Sequence, residues 1–214
     1  EIRDEETAGL AVQAALTGHL VMATLHTNSA ASALPRLLDM HIEPYLLASV
    51  MHTVVAQRLP RRICPHCKQA YVVSPEVVKN IQDTLGNLSN FNLVDYLNKR
   101  CEAKMPSDAG MNLGYEKVNM KCPEDKGNGQ HDIYLNKGKG CDKCEGTGYS
   151  GRIGIFEVLK VTEKIGRMIM ENKSDDEINE EGMKNGMISM VQDGYLKALD
   201  GITTIEEVLR VSKN

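Results

Sequence analysis

The chain has no tryptophan and only two phenylalanines among 214 residues. A core without large aromatics must be filled by Leu, Ile, Val, Met and Ala. There is no basic excess: the net charge is −4, so the electrostatic footprint of a general nucleic-acid binder is missing, and no nucleic-acid partner is expected. No apolar run reaches the roughly 18 residues that would span a bilayer. No initiator Met is present, and the opening Glu1-Ile-Arg-Asp-Glu is expected to be part of a longer protein. What is there, 42% hydrophobic and 25% charged residues, is an ordinary soluble composition, enough for one large domain or two small ones.

Six cysteines are too few for a disulfide scaffold of this length, and four of them fall in two Cys-x-x-Cys knuckles, Cys64-Pro-His-Cys67 and Cys141-Asp-Lys-Cys144. Each knuckle can turn two sulfurs toward one point, and two knuckles supply the four thiolates that close a tetrahedral zinc site. Such a site is structural, because no position is left for a substrate. The alternatives are a redox dithiol, which needs one exposed pair of low pKa, and unrelated surface thiols. Paired spacing and the lack of a signal-peptide pattern fit a reducing cytosol. Cys101 and Cys122 show no such spacing and read as isolated thiols.

Along the chain, 6–17 predicts an Ala-rich helix stopped by Gly18, with Ala8, Leu10, Ala11, Ala14 and Ala15 on its packing face. Leu20 to Leu25 predicts a buried parallel strand. Asn28 or Ser29 would cap a helix over about 29–39, in which Pro35 demands a kink or a late start. Pro44 opens a further helix, expected to run to Leu59. This alternation implies the trailing half of an α/β domain with a parallel sheet. The stretch 68–140 is richer in Gly, Asn and Lys; it predicts helical patches at 75–85 and 91–104, with the remainder as loop. A turn run at 146–151 leads to a strand over 152–159, with Ile153, Ile155, Glu157 and Leu159 on one face. Helices from Thr162, from the capping box at Ser174–Glu177, over 187–199, and from the Thr203–Glu206 cap are expected to form a bundle from 160 onward.

Four stretches carry a resemblance: Glu1-Ile-Arg-Asp-Glu-Glu-Thr-Ala8, Thr24-Leu-His-Thr-Asn28 continuing to Arg36-Leu, Ala56-Gln-Arg-Leu59, and Gly148-Tyr-Ser-Gly-Arg-Ile-Gly-Ile-Phe-Glu157. Together with Gly186 to Gly194 and Gly201 to Leu209 they resemble the secretion ATPases, the hexameric motors of type II secretion and type IV pilus assembly. The resemblance leaves out 68–140, a segment longer than the family pattern leads one to expect and a candidate partner surface. It implies the C-terminal half of a RecA-like P-loop NTPase core (1–63, with the Walker B end and the His box), a four-cysteine zinc subdomain (64–151), and a strand with a C-terminal helical subdomain (152–214). Glu1 matches the Walker B glutamate that orients water and helps organise Mg2+. His26 matches the His-box residue, a γ-phosphate sensor or coupling group. Arg36, Arg58 and Arg152 fall in the same motifs, and for each a nucleotide or inter-subunit contact stands against surface ion pairing.

ATP, Mg2+ and structural Zn2+ are the implied cofactors. A homo-hexamer and an inner-membrane platform protein are the implied partners, with a cytoplasmic location peripheral to that membrane. No Gly-x-x-x-x-Gly-Lys-[Ser/Thr] is present, so the loop that cradles phosphates is absent from this chain and the chain alone is expected to be inactive. Ser29 replaces the family's usual Asp, Pro35 a helix former, and His41 the usual Gly after Asp-Met. A rival reading is a non-catalytic zinc-knuckle module, because Cys141-x-x-Cys144-x-Gly146-x-Gly148 is similar to one repeat of the DnaJ-type chaperone finger.

Overall fold

Asp4 opens the first helix by accepting the Thr7 N–H on its side chain, and Gly18, at φ 89°, lies just beyond its end. The computed structural model describes residues 1–88, 91–102, 121–126 and 131–212. In chain order these hold α1 (Glu5–Leu16), α2 (Ala33–Asp39), α3 (Pro44–Val50), β1 (Thr53–Arg58), β2 (Arg61–Ile63), β3 (Lys68–Val72), α4 (Pro75–Leu85) and α5 (Leu93–Glu102). There follow β4 (Glu124–Asp125), β5 (His131–Asp132), β6 (Tyr134–Gly138), a 3-10 turn at Asp142–Cys144, β7 (Tyr149–Arg152), β8 (Ile155–Lys160), α6 (Glu163–Met170), α7 (Asp175–Lys184), α8 (Met190–Leu199) and α9 (Ile205–Ser212). The strands join in pairs: β1 with β8, β2 with β7, β3 with β6 and β4 with β5.

Two compact units result. The first comprises Glu1–Gln57 and Phe156–Ser189. Its core gathers Ala30, Ala31, Leu34, Leu37, Leu47, Leu159, Ile165, Ile169 and Ile178, all buried. Helix α3 packs against α1 and α6, and α6 against α7. Thr162 and Ser174 cap α6 and α7, and the Ser174–Glu177 box closes in both directions. The buried stripe of α1 is Ala8 and Val12; Leu10, expected on the packing face, is exposed because it lies off that stripe.

The second unit comprises Arg58–Ile155 and Met190–Asn214. In it β3 and β6 form an antiparallel ladder from Lys68 opposite Gly138 to Val72 opposite Tyr134. Helices α4 and α5 match the predicted patches; residues 103 and 104 of the second patch and the loop expected over 105–120 and 127–130 lie outside the described residues. Helix α4 presents Ile81 and Leu85 inward and packs on α8, where Tyr195 Oη donates to Asn80 Oδ1 at 2.7 Å and Gln192 Nε2 to the Thr84 carbonyl at 3.1 Å. Helix α5 is held to the end of α8 by Arg100 and Tyr96, which both donate to the Asp200 carboxylate. Burial first, then Asp200, pushes the Tyr96 phenol well above its usual range.

Several local expectations are corrected. Leu20 to Leu25 is not a strand: the run receives one backbone bond from Ile2, N–H to the Thr24 carbonyl at 2.8 Å, and Leu20 and Met22 are 87% and 88% exposed. An apolar run becomes a strand only when neighbours complete its ladder. The helix expected from Pro44 to Leu59 stops at Val50 and gives way to β1, as the β-branched Thr53, Val54 and Val55 favour. The 152–159 strand is two, β7 and β8, with Ile155, Glu157 and Leu159 buried on one face as the alternation requires. Pro35 is absorbed by the late start: it is the third residue of α2. Of the four helices expected as one bundle, α6 and α7 belong to the first unit and α8 and α9 to the second. Cys101 and Cys122, read as isolated thiols, are joined in a disulfide across a separation of 21 residues.

Gly194 shows how tightly α8 meets α9. A Cβ there would sit 2.4 Å from Cγ1 of the fully buried Val208. Ala is favoured over Gly in a helix by about 1 kcal/mol, but overpacking costs about 1–3 kcal/mol, and Val208 has no room to yield. Gly194→Ala is therefore expected to lower the midpoint of thermal unfolding by several degrees, measured by calorimetry; a higher midpoint would mean the contact is loose.

Candidate functional site

The two knuckles are built by backbone before they are built by sulfur. Cys64 directly follows β2, and its N–H donates to the Gly148 carbonyl at 2.9 Å, while Lys139 N–H donates to the Cys67 carbonyl at 3.0 Å. The second knuckle lies on the 3-10 turn, followed by Glu145 in the left-handed region at φ 51°. Gly138 and Gly148 let the chain segments approach. A Cβ on Gly138 would stand 2.0 Å from the Gly148 carbonyl oxygen, a distance no side chain tolerates.

Four sulfurs meet as a result, and all lie within 4.8 Å of one another. Cys64 to Cys141 is 3.9 Å, Cys67 to Cys144 3.8 Å and Cys141 to Cys144 3.7 Å. A tetrahedron with metal–sulfur bonds of about 2.3 Å has edges of about 3.8 Å, so the donor set fits a metal ion. Burial pushes the Cys144 thiol up, but the N–H groups of Cys141 and Gly148, each 3.2 Å from its sulfur, together with the Cys141 and Cys67 thiols more than offset this and bring it down to about 6. Burial takes Cys67 the other way, up to about 11. Adjacent thiols cannot all ionise without a cation among them. Convergence of both pairs disfavours the redox reading, which wants one exposed pair.

The β2–β7 pair beside the knuckles is fastened to the C-terminal turn. Ile63 N–H donates to the Ile202 carbonyl and Thr203 Oγ1 to the Arg61 carbonyl. Glu207, 3% exposed, receives the Arg61 guanidinium at 2.5 Å, the Arg61 N–H at 3.1 Å and the Arg210 guanidinium at 2.8 Å. Arg61 also lies over the Tyr149 ring, 4.3 Å from its centroid, and Tyr149 Oη pairs with Thr204 Oγ1. Helix α9 is capped by Thr204, which accepts the Glu207 N–H, one residue later than expected because Thr203 serves Arg61 instead. Sequence reasoning missed this clamp. The signal was there in part: Glu207 falls on the same helical face as Val208 and Val211, where a charge needs a partner.

The first unit brings together the two predicted catalytic residues. His26 Nε2 and Glu1 Oε1 are 2.5 Å apart, and Arg3 donates to Glu1 Oε2 at 2.6 Å. The Arg3 bond first, then the His26 bond, holds the Glu1 carboxyl below the usual carboxylate range. Arg36, at the last turn of α2, is exposed, and no ion pair to it is found among the described residues. Arg58 and Arg152 belong to the second unit, at the end of β1 and at the end of β7 opposite Arg61.

The profile of the type II/IV secretion system protein family matches residues 1–210. The chain belongs to that family. Its relatives include the type IV pilus assembly ATPase PilB of Thermus thermophilus, 39% identical over 98% of this chain and 19% of the relative. PilB of Pseudomonas aeruginosa is 39% identical over the whole chain and 30% of its own length. The type II secretion system protein E of Pseudomonas aeruginosa is 38% identical over the whole chain and 34% of its own length. The chain thus spans about a fifth to a third of these relatives, and the matched span includes 68–140, which the motif resemblance had left out. Among the described residues no helix is long and apolar enough to cross a membrane.

Two outcomes follow from these geometries. Replacing Cys64 or Cys141 by Ser is expected to remove metal from protein purified without added metal and to loosen or abolish folding; full metal content and full thermal stability in Cys64→Ser would refute the four-cysteine site. The depressed Glu207 carboxylate contributes stability that is present above its unfolded value, about 4.3, and is lost as pH falls below that. Urea midpoints from pH 7 to pH 3 should fall more steeply in the native chain than in Glu207→Gln, whose loss at pH 7 should be about 2 kcal/mol; equal slopes would contradict the clamp.

Proposed function

We propose that this chain is the C-terminal part of a hexameric ATPase motor that powers type IV pilus assembly or type II protein secretion. The observation that carries this reading is the Glu1–His26 contact in a chain of the secretion family. Relatives that are a type IV pilus assembly ATPase and a type II secretion system protein bring ATP hydrolysis and the two machines to the proposal. In the longer protein the chain would form the trailing half of a RecA-like core, and Glu1 would help hold Mg2+ and orient the attacking water. A carboxyl kept below its usual range is charged at neutral pH, as both tasks require. His26, bound to Glu1 and 85% exposed on its side chain, could exchange that partner for a γ-phosphate oxygen. Arg36, Arg58 and Arg152 are the guanidinium groups offered to phosphates or to a neighbouring subunit.

Zn2+ on Cys64, Cys67, Cys141 and Cys144 would be structural, leaving the chemistry to ATP and Mg2+. An inner-membrane platform protein is the proposed recipient of the motion, from the cytoplasmic side.

The reading is tested on the full-length protein by ATP turnover. Glu1→Gln and His26→Ala are each expected to lower kcat by about 100-fold or more, with the four-cysteine site still loaded. The chain alone is expected to show no turnover, because it holds no phosphate-cradling loop. Full-length variants that hydrolyse ATP at the native rate would overturn the reading, as would turnover by the pure chain that disappears in Glu1→Ala.

A further inference from the structure

Glu157 lies on the inner face of β8, 5% exposed, and its Oε1 accepts the N–H of the fully buried Ala30 at 2.9 Å. The other buried acids among the described residues each face a cation: Glu207 meets Arg61 and Arg210, Asp200 meets Arg100, and Glu181 meets Lys164. Glu157 meets one backbone N–H, and no ion pair to it is found among the described residues. A carboxylate is costly to bury, and a neutral side chain could satisfy one amide.

The amide so held stands four residues after His26. The turn from Ser29 to Ser32 closes on itself: Ser29 N–H and Oγ donate to Ser32 Oγ, Ser32 N–H donates to Ser29 Oγ, and Ser32 Oγ donates to the Ser29 carbonyl. Those bonds fix the shape of the turn but not its place. Among the described residues, long-range bonds that hold its place include Ile2 N–H to the Thr24 carbonyl before His26 and Ala30 N–H to Glu157 after it.

We propose that Glu157 is a positioning residue for His26: by anchoring the turn at Ala30 it sets the imidazole against Glu1. The catalytic meaning of this rests on the function proposed above, whereas the anchoring does not.

The experiment uses 15N-labelled chain and reads two signals, hydrogen exchange at the Ala30 amide and the ring nitrogen shifts of His26. Glu157→Gln keeps an acceptor of the same shape and is expected to hold Ala30 exchange within about threefold of native and to leave the His26 Nε2 signal in place. Glu157→Asp, one methylene short, is expected to raise Ala30 exchange by about tenfold or more and to move the His26 signal to where Glu1→Gln puts it. Glu157→Ala should do the same if it folds; Glu157→Asp serves the test where it does not. A His26 signal unmoved in Glu157→Asp overturns the proposal, and so does Glu157→Gln behaving like Glu157→Asp.

In the full-length protein Glu157→Asp is expected to lower kcat for ATP by about tenfold with KM within about twofold, and Glu157→Gln to restore most of it. If Glu1→Gln and His26→Ala leave turnover intact, the functional reading fails while the His26 signals still decide the anchoring.

Discussion

Four sulfurs drawn to one point, from knuckles separated by 77 residues, constrain the second unit more than any other contact. To bring them together, β2 must end beside β7, and Gly138 must pass close enough to Gly148 that neither can carry a side chain. That strand pair then offers the Arg61 backbone and guanidinium to the C-terminal turn and to Glu207. The order of dependence runs from cysteine spacing to strand pairing to the seating of α9. Hydrogen bonds to the sulfurs show that the backbone is already arranged for charge there: N–H groups of Cys141 and Gly148 aim at Cys144 Sγ. A divalent ion would complete an arrangement that the backbone begins.

The parts of the fold legible in the sequence were those whose cause is local. Asp4 to Leu16, the Ser174–Glu177 box, the helix from Pro75 to Leu85 and the β8 alternation each carry their signal within one turn or one pleat. Those that failed depend on a partner elsewhere. Leu20 to Leu25 has strand composition, but composition does not supply a ladder. Residues 53–58 read as helix because the run from Tyr45 to Leu59 is amphipathic to apolar, yet they form β1, whose partner β8 lies about a hundred residues on. The Cys101–Cys122 pairing has no spacing signature at all.

The candidate site divides the same way. Cysteine knuckles announce themselves through spacing, and the Glu1–His26 contact joins two motifs that are each legible in the sequence. Glu157 and Glu207 were not marked as anchors, because an acid in an apolar stripe names a need without naming the group that meets it. Both needs are met across more than 120 residues, by the Ala30 amide in one case and Arg61 in the other.

His41 shows how a departure from a family pattern can expose a backbone demand. The position where the pattern carries Gly after Asp-Met has φ 58°, the left-handed region where a side chain costs roughly 1–2 kcal/mol. Glycine would meet that demand without strain. The imidazole accepts it and gains a contact instead: His41 Nδ1 is 3.1 Å from Glu5 Oε2, on the first turn of α1. An exposed pair of this kind returns at most about 1 kcal/mol, so the exchange does not favour His on stability alone. What it adds is a tether between the end of α2 and the start of α1, four residues beyond Glu1. Substitution at this one position therefore trades backbone comfort for a link next to the very segment that carries the Glu1–His26 pair.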